Sequence, residues 1–164
     1  MSSTSKPELV EAVGRLVMRF QDTSQKFDAE VGRLYGLNPA ELHCLSFLAQ
    51  APRPANAIAR EVRLTPAAVT ALIDRLERRG YVLRQPDPGD RRKVLVTPTA
   101  RSAALAAATY SLVAEAGAKV LSTYTEAELR VLVRLLKDAI AIQEDAATDL
   151  ANGTIAQAGD DGHQ

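Results

Sequence analysis

With 164 residues, 46% hydrophobic but only 4% aromatic, the chain is long enough for one domain or two small lobes around an aliphatic core. A single cysteine, Cys44, excludes an intrachain disulfide and suits a reducing cytoplasm. Basic and acidic residues balance at 20 each, yet residues 51–101 hold 11 Lys/Arg against 5 Asp/Glu and the remainder 9 against 15, so a +6 centre lies between ends that sum to −6. That asymmetry fits an anionic partner, and equally a chance clustering of solvated charge. No apolar run approaches the ~18 residues that span a membrane. The start, MSSTSKPELVEAV, lacks the basic-then-apolar order of a signal peptide. A cytoplasmic protein without a membrane partner is expected.

The first helix is expected from Pro7 to about Tyr35, because Leu9, Val13, Leu16, Val17, Phe20, Phe27, Val31 and Leu34 recur at helical spacing; Gly36 stops it. NPAELHCLSFLAQ opens a second helix, with Asn38 as N-cap, Pro39 at the first position and Glu41 completing a capping box; it reaches about Gln50. APRP is a break. A short third helix follows over Pro54–Val62, with Ile58, Ala59 and Val62 inward. After a three-residue turn, Thr65 caps a fourth helix whose stripe is Val69, Leu72, Ile73 and Leu76 and whose stop is Gly80. Helix, short turn, helix is a helix-turn-helix pattern.

Tyr81–Gln85 and Lys93–Thr97 read as two strands, joined by a turn over Pro86–Asp90. Prolines 86 and 88 cannot donate to a ladder and belong in the loop or at its edge. Thr97 is the expected N-cap of an alanine-rich helix over 98–121. TEAE then opens a last helix, Thr125 capping and Glu128 completing a box, with Leu129, Leu132, Val133, Leu136, Ile140 and Gln143 in its stripe to about Leu150. The polar, glycine-containing tail over 151–164 is expected to be disordered. The outer helices, 7–36 and 122–150, are amphipathic with no partner in the middle of the chain. They are expected to pack on each other and on a second copy.

The centre makes a physical case for double-stranded DNA. The helix from Thr65 offers Pro66, Ala67, Ala68, Thr70 and Ala71 opposite its stripe, small enough to approach base edges; Thr70 can hydrogen-bond and alanine methyls can meet thymine methyls. Arg75, Arg78 and Arg79 suit phosphates. The hairpin tip, with Asp90 ahead of Arg91, Arg92 and Lys93, can reach an adjacent minor groove, where an arginine gains from the negative potential. Asp90 is expected to hold a neighbouring guanidinium in one rotamer. A solvated turn on a protein-interaction module is the competing reading.

The stretch Leu64–Ala100, LTPAAVTALIDRLERRGYVLRQPDPGDRRKVLVTPTA, resembles the MarR family of winged-helix regulators in its DRLERRGYV, its DRR and its LVTPTA. With the flanking helices the resemblance covers about residues 7–150. It departs from the family pattern at Ala100, where a glycine is common. The resemblance implies a mainly α fold with a small β-hairpin. A winged helix-turn-helix over 37–100 would lie between long N- and C-terminal dimerisation helices, with a connecting helix over 98–121. It implies a homodimer on a pseudo-palindromic operator, most often a repressor, and release by a small, often aromatic, effector. Carried over by position, Thr65 to Arg75 would enter the major groove, and Asp90 and Arg92 would match the wing pair, with Arg91 a second candidate for the minor groove. The residues do not reject a DNA binder without any effector.

Cys44 is expected to be buried and inert, since the redox-sensing members carry their cysteine in the first helix. His43 is expected to be a partly buried structural residue, with a place in an effector cleft as the alternative. Phe20, Phe27, Tyr35 and Phe47 are expected in the core; with His43, Phe47 and Phe20 are the candidates for effector contact. One usable histidine makes no metal site, and no catalytic set or cofactor motif is present, so neither a cofactor nor an enzyme is expected.

Overall fold

The computed structural model describes residues 5–153; all but the first three residues of the tail named above lie outside that range. In order the elements are α1 (Lys6–Tyr35), α2 (Pro39–Gln50), α3 (Ala55–Glu61), α4 (Pro66–Arg78), β1 (Val82–Pro86), β2 (Val94–Pro98), α5 (Ala100–Leu121) and α6 (Glu126–Ala151). The chain divides into two compact units, one ending at Ser111 and the other beginning at Leu112. The first unit therefore holds α1 together with the winged helix-turn-helix.

Helix ends follow local chemistry. In the α2 capping box Asn38 Oδ1 accepts the Glu41 N–H at 2.9 Å, and Glu41 Oε2 accepts the Asn38 N–H at 2.8 Å. Ser5 and Thr125 form boxes with Glu8 and Glu128. The first helix ends where Gly36 turns left-handed at φ 62°, and the Gly36 and Leu37 N–H groups both return to the Gly32 carbonyl. A side chain at Gly32 would bring its Cβ within 2.6 Å of the Leu37 carbonyl oxygen, so this turn needs glycine at two positions.

The core of the first unit is aliphatic. Cys44, Leu45 and Leu48 of α2, Ile58 of α3, and Val69, Leu72, Ile73 and Leu76 of α4 close on Val31, Leu37, Tyr81, Val82, Val96 and Leu105. The hairpin is antiparallel, with Val82 opposite Pro98 and Pro86 opposite Val94. Both strands sit one residue later than the sequence pattern indicates, and the loop is Asp87–Lys93 rather than Pro86–Asp90. Pro86 and Pro98 stand at strand ends, where a missing N–H matters least. The APRP break adds a third, one-residue strand. Arg53 exchanges two backbone hydrogen bonds with Val96, at 3.1 and 2.8 Å, because Pro52 and Pro54 favour extended backbone around it.

Two expectations about α5 are corrected. Thr97 and Pro98 belong to β2, so Thr97 is not the cap; the helix starts at Ala100. Thr99 Oγ1 donates to the Gly80 carbonyl at 2.7 Å, and the buried Ser102 hydroxyl donates to the Tyr81 carbonyl, pinning the helix start to the end of α4. The α5 helix is also long and apolar enough, by length and composition, to cross a membrane, contrary to the absence of such a run expected above. Its apolarity is largely alanine, and its first turns place Ser102 and Leu105 in the core of the first unit. Further along, Tyr110 packs edge-on to Phe27 at 5.4 Å and donates to Asp28 Oδ1 at 2.8 Å, joining α5 to α1. Burial, then that bond, pushes the Tyr110 hydroxyl up to about 12.

In the second unit, α6 has no buried residue among its 26, and Val133, Leu136 and Ile140 of its stripe are open to solvent. Leu9, Val13, Leu16 and Phe20 of α1 are likewise exposed.

Candidate nucleic-acid interface

The fourth helix is oriented by its apolar stripe. Val69, Leu72, Ile73 and Leu76 are all at most 5% exposed, which turns the opposite face outward. Thr65 caps the start, its Oγ1 accepting the Ala68 N–H at 3.3 Å. Pro66, Ala67, Thr70 and Ala71 are exposed as expected, while Ala68 is half-buried on the flank. The Thr70 hydroxyl donates back to the Pro66 carbonyl at 2.9 Å. In this rotamer it offers only lone pairs outward, which suit a base amino group rather than a phosphate.

The basic centre sorts into two groups. Arg79 is engaged within the fold: its Nη1 and Nη2 donate to the Gly36 and Tyr35 carbonyls at 2.6 and 2.5 Å, and its guanidinium lies 5.4 Å from the Tyr81 ring centroid. It closes the C-terminus of α1, where orphan carbonyls and the helix dipole favour a cation. Arg84 of β1 reaches across to α4, with Nη2 on Asp74 Oδ1 at 2.6 Å, Nη1 on Glu77, and its backbone N–H on Glu77 Oε1 at 3.0 Å. The hairpin is thereby fastened to α4. Arg53 stacks on Phe47 and Arg101 on Tyr81. Arg75 donates its Nε to Glu41 Oε1 at 2.6 Å yet stays 47% exposed. Among the described residues Arg60, Arg63, Arg78, Arg91 and Arg92 have no side-chain ion-pair partner, and all five are exposed.

At the wing tip Asp90 acts differently from expectation. Its Oδ1 accepts the Arg92 backbone N–H at 3.1 Å, and its Oδ2 lies 3.5 Å from the Lys93 ammonium. It shapes the loop backbone and neutralises Lys93 instead of gripping a guanidinium. Asp87 does the same for the Gly89 N–H at 2.7 Å, and the Asp87 N–H donates to the Lys93 carbonyl. Among the described residues neither wing arginine side chain has a partner.

The expected effector residues are not drawn together. His43 is exposed, not partly buried, and faces Glu61 of α3 at 3.0 Å. Phe47, one turn on, packs against the core. Phe20 is 72% exposed and not in the core; it stands 11 residues, about 16 Å of helix, before the buried Val31 end of α1 that packs near α2. Phe27 and Tyr35 do pack against the core. Cys44 is fully buried, and burial, with Glu41 adding, pushes its thiol up to about 12. Among the described residues no group of three His, Cys, Asp or Glu could hold a metal.

Sequence reasoning missed the Arg84 clamp and the second role of Glu41. Asp74 and Glu77 at i,i+3 spacing, with Arg84 beyond a glycine turn, carried a signal for the first. Nothing in the sequence pointed to a contact between Glu41 and Arg75, 34 residues apart.

Helix-turn-helix, clamped hairpin and an outward face of small residues together define a winged-helix DNA-binding protein. The model of the MarR family matches residues 35–93. The chain is 30% identical over 142 residues to the uncharacterized HTH-type transcriptional regulator YcgE of Bacillus subtilis, covering 86% of this chain and 92% of that one. It is 35% identical over 103 residues to the HTH-type transcriptional repressor Rv2887 of Mycobacterium tuberculosis, covering 62% and 74%. The fold resembles the crystal structure of the transcriptional regulator Tm0710 from Thermotoga maritima, with a TM-score of 0.59 at 21% identity over 84% of this chain and 98% of that one. The chain belongs to the MarR family of helix-turn-helix transcriptional regulators.

Proposed function

We propose that this chain acts in the cytoplasm as a homodimeric repressor that reads a pseudo-palindromic operator, α4 in the major groove and the wing in the adjacent minor groove. One observation carries the reading. The small exposed face of Pro66, Ala67, Thr70 and Ala71 is clamped through Arg84 to a hairpin whose Arg91 and Arg92 side chains have no partner among the described residues. Unpaired cations on a shaped loop gain from phosphate or a narrow groove and contribute nothing to the isolated fold. The dimer is supported by the exposed apolar residues of α1 and α6, which water would otherwise cover. Two copies would present recognition helices roughly 34 Å apart, one turn of DNA. Repression accords with the relative Rv2887, which is named a repressor. Release by a small aromatic effector is part of the proposal, as the resemblance implies for many members of the family; His43 and Phe47 share one side of α2, and a cleft including Phe20 would need the partner protomer.

The test is fluorescence anisotropy of the dimer against DNA from upstream of its own gene and a scrambled duplex, across a salt series. Selective binding that weakens steeply with salt is expected. Arg92→Ala should weaken it by roughly 1–3 kcal/mol with the dimer intact by sedimentation. Equal affinity for both duplexes, or a monomer at micromolar concentration, would overturn the reading.

A further inference from the structure

We infer that Glu41 is a positioning residue for DNA recognition: from inside the fold it holds the Nε edge of Arg75, so that the Nη edge is presented to a backbone phosphate beside α4. The inference rests on α4 being the DNA-contacting helix. Glu41 is 1% exposed, and each of its carboxylate oxygens has a different duty. Oε2 accepts the Asn38 N–H at the start of α2, and Oε1 accepts Arg75 Nε at 2.6 Å. The capping box fixes the Glu41 rotamer, and the carboxylate in turn fixes Arg75. The chain of constraint runs from the start of one helix to the surface of another.

Arg75 is suited to the second half of that arrangement. It lies about 40° round the α4 axis from Ala71 and about 6 Å further along, at the rim of the outward face. Its side chain is 47% exposed although its partner's is 2% exposed, and Nε alone is engaged among the described residues. A guanidinium is a rigid fork, so anchoring Nε sets the direction of both Nη groups. An unanchored arginine samples many rotamers, and part of that freedom is lost on binding. Glu41 removes that loss before DNA arrives. Arg78, one turn further on and without a carboxylate, makes only a 3.3 Å contact to the Asp74 carbonyl and is the internal comparison.

A double-mutant cycle tests this on the full-length dimer, with operator affinity, salt dependence and thermal unfolding measured for each variant. Arg75→Ala should weaken operator binding roughly tenfold or more and lower the slope of log affinity against log salt by about one. Glu41→Gln keeps one acceptor oxygen and nearly the same volume. It should weaken binding roughly fivefold, within the cost of ordering one long side chain, and leave the salt slope unchanged because the phosphate contact is still made. In the Arg75→Ala background, Glu41→Gln should change affinity by less than about twofold. A merely structural Glu41 would lower affinity by the same factor in both backgrounds, and that additivity would overturn the inference. If Glu41→Gln does not fold, Arg75→Lys serves. Its compact ammonium lacks the rigid fork that meets Glu41 on one edge and points the other at the phosphate, so affinity should fall nearly as far as with alanine; wild-type affinity would sink the idea. Failure of the wild-type dimer to prefer its operator would overturn the functional reading as well, whereas selective binding with additive variants would overturn this inference alone.

Discussion

Arg79→Ala separates structural from DNA-facing arginine in the basic centre. The side chain makes two charge-assisted hydrogen bonds to the last carbonyls of α1, at 2.5 and 2.6 Å, and a cation–π contact with Tyr81 at 5.4 Å. Each hydrogen bond would contribute about 1.5–3 kcal/mol if buried, but one is exposed and one part-buried, and water can replace the guanidinium at both carbonyls. About 1 kcal/mol per bond is the appropriate size, with about 0.5 kcal/mol for the aromatic contact. The sum, about 2–3 kcal/mol, corresponds to a fall in Tm of roughly 4–12 °C for a chain of this length. Unfolding should be followed by circular dichroism at one fixed protomer concentration, since the proposed dimerisation would make Tm concentration-dependent. Operator affinity, measured well below the new Tm, should stay within about twofold of wild type. An unchanged Tm with affinity reduced tenfold would show that Arg79 leaves the α1 terminus to contact DNA, and the sorting of the arginines would be wrong.

Other variants probe the remaining elements. Ala71→Leu puts an exposed branched side chain on the outward face of α4 at almost no cost in helix propensity; Tm should hold while operator binding is lost, and retained binding would remove this face from the interface. Cys44, pushed up to about 12, has less thiolate at any given pH than an ordinary thiol. At pH 8 about one molecule in ten thousand would be ionised, so a thiol-reactive disulfide should label the native protein far more slowly than the denatured one. Rapid native labelling, or loss of DNA binding to peroxide that Cys44→Ser prevents, would contradict the buried, inert thiol. Leu48→Ala opens a cavity at a fully buried site and should cost about 2–5 kcal/mol in urea unfolding. Leu16→Ala, at a position 63% exposed in the protomer, should instead raise the dimer dissociation constant, and an unchanged constant would take α1 out of the interface.

Much of the architecture was legible because its determinants are local. Asn38-Pro39 with Glu41, Thr65-Pro66, and Thr125 with Glu128 start helices through contacts spanning three residues, and Gly36 ends one through its own left-handed backbone. The α4 stripe is likewise a matter of period, so the buried Val69, Leu72, Ile73 and Leu76 and the exposed Pro66, Ala67, Thr70 and Ala71 were assigned from spacing alone. The hairpin was shifted by one residue because its ends are set by the loop hydrogen bonds of Asp87 and Lys93, which no propensity encodes.

What the tertiary structure decided is the fate of the charges. By sequence the arginines of the centre are interchangeable units of positive charge. Folding brings Arg79 to the end of a helix 43 residues away, Arg84 onto two carboxylates of α4, and Arg75 onto a buried Glu41, while Arg91 and Arg92 are left on a loop that Asp90 shapes through the backbone. His43, indistinguishable by sequence from a core residue, turns out to solvent against Glu61 because the inward positions beside it on α2 are taken by Cys44, Leu45 and Leu48. Periodicity reports which way a side chain points relative to its own helix. Which partner it meets depends on contacts between residues distant in the chain, and those exist only once the core has closed.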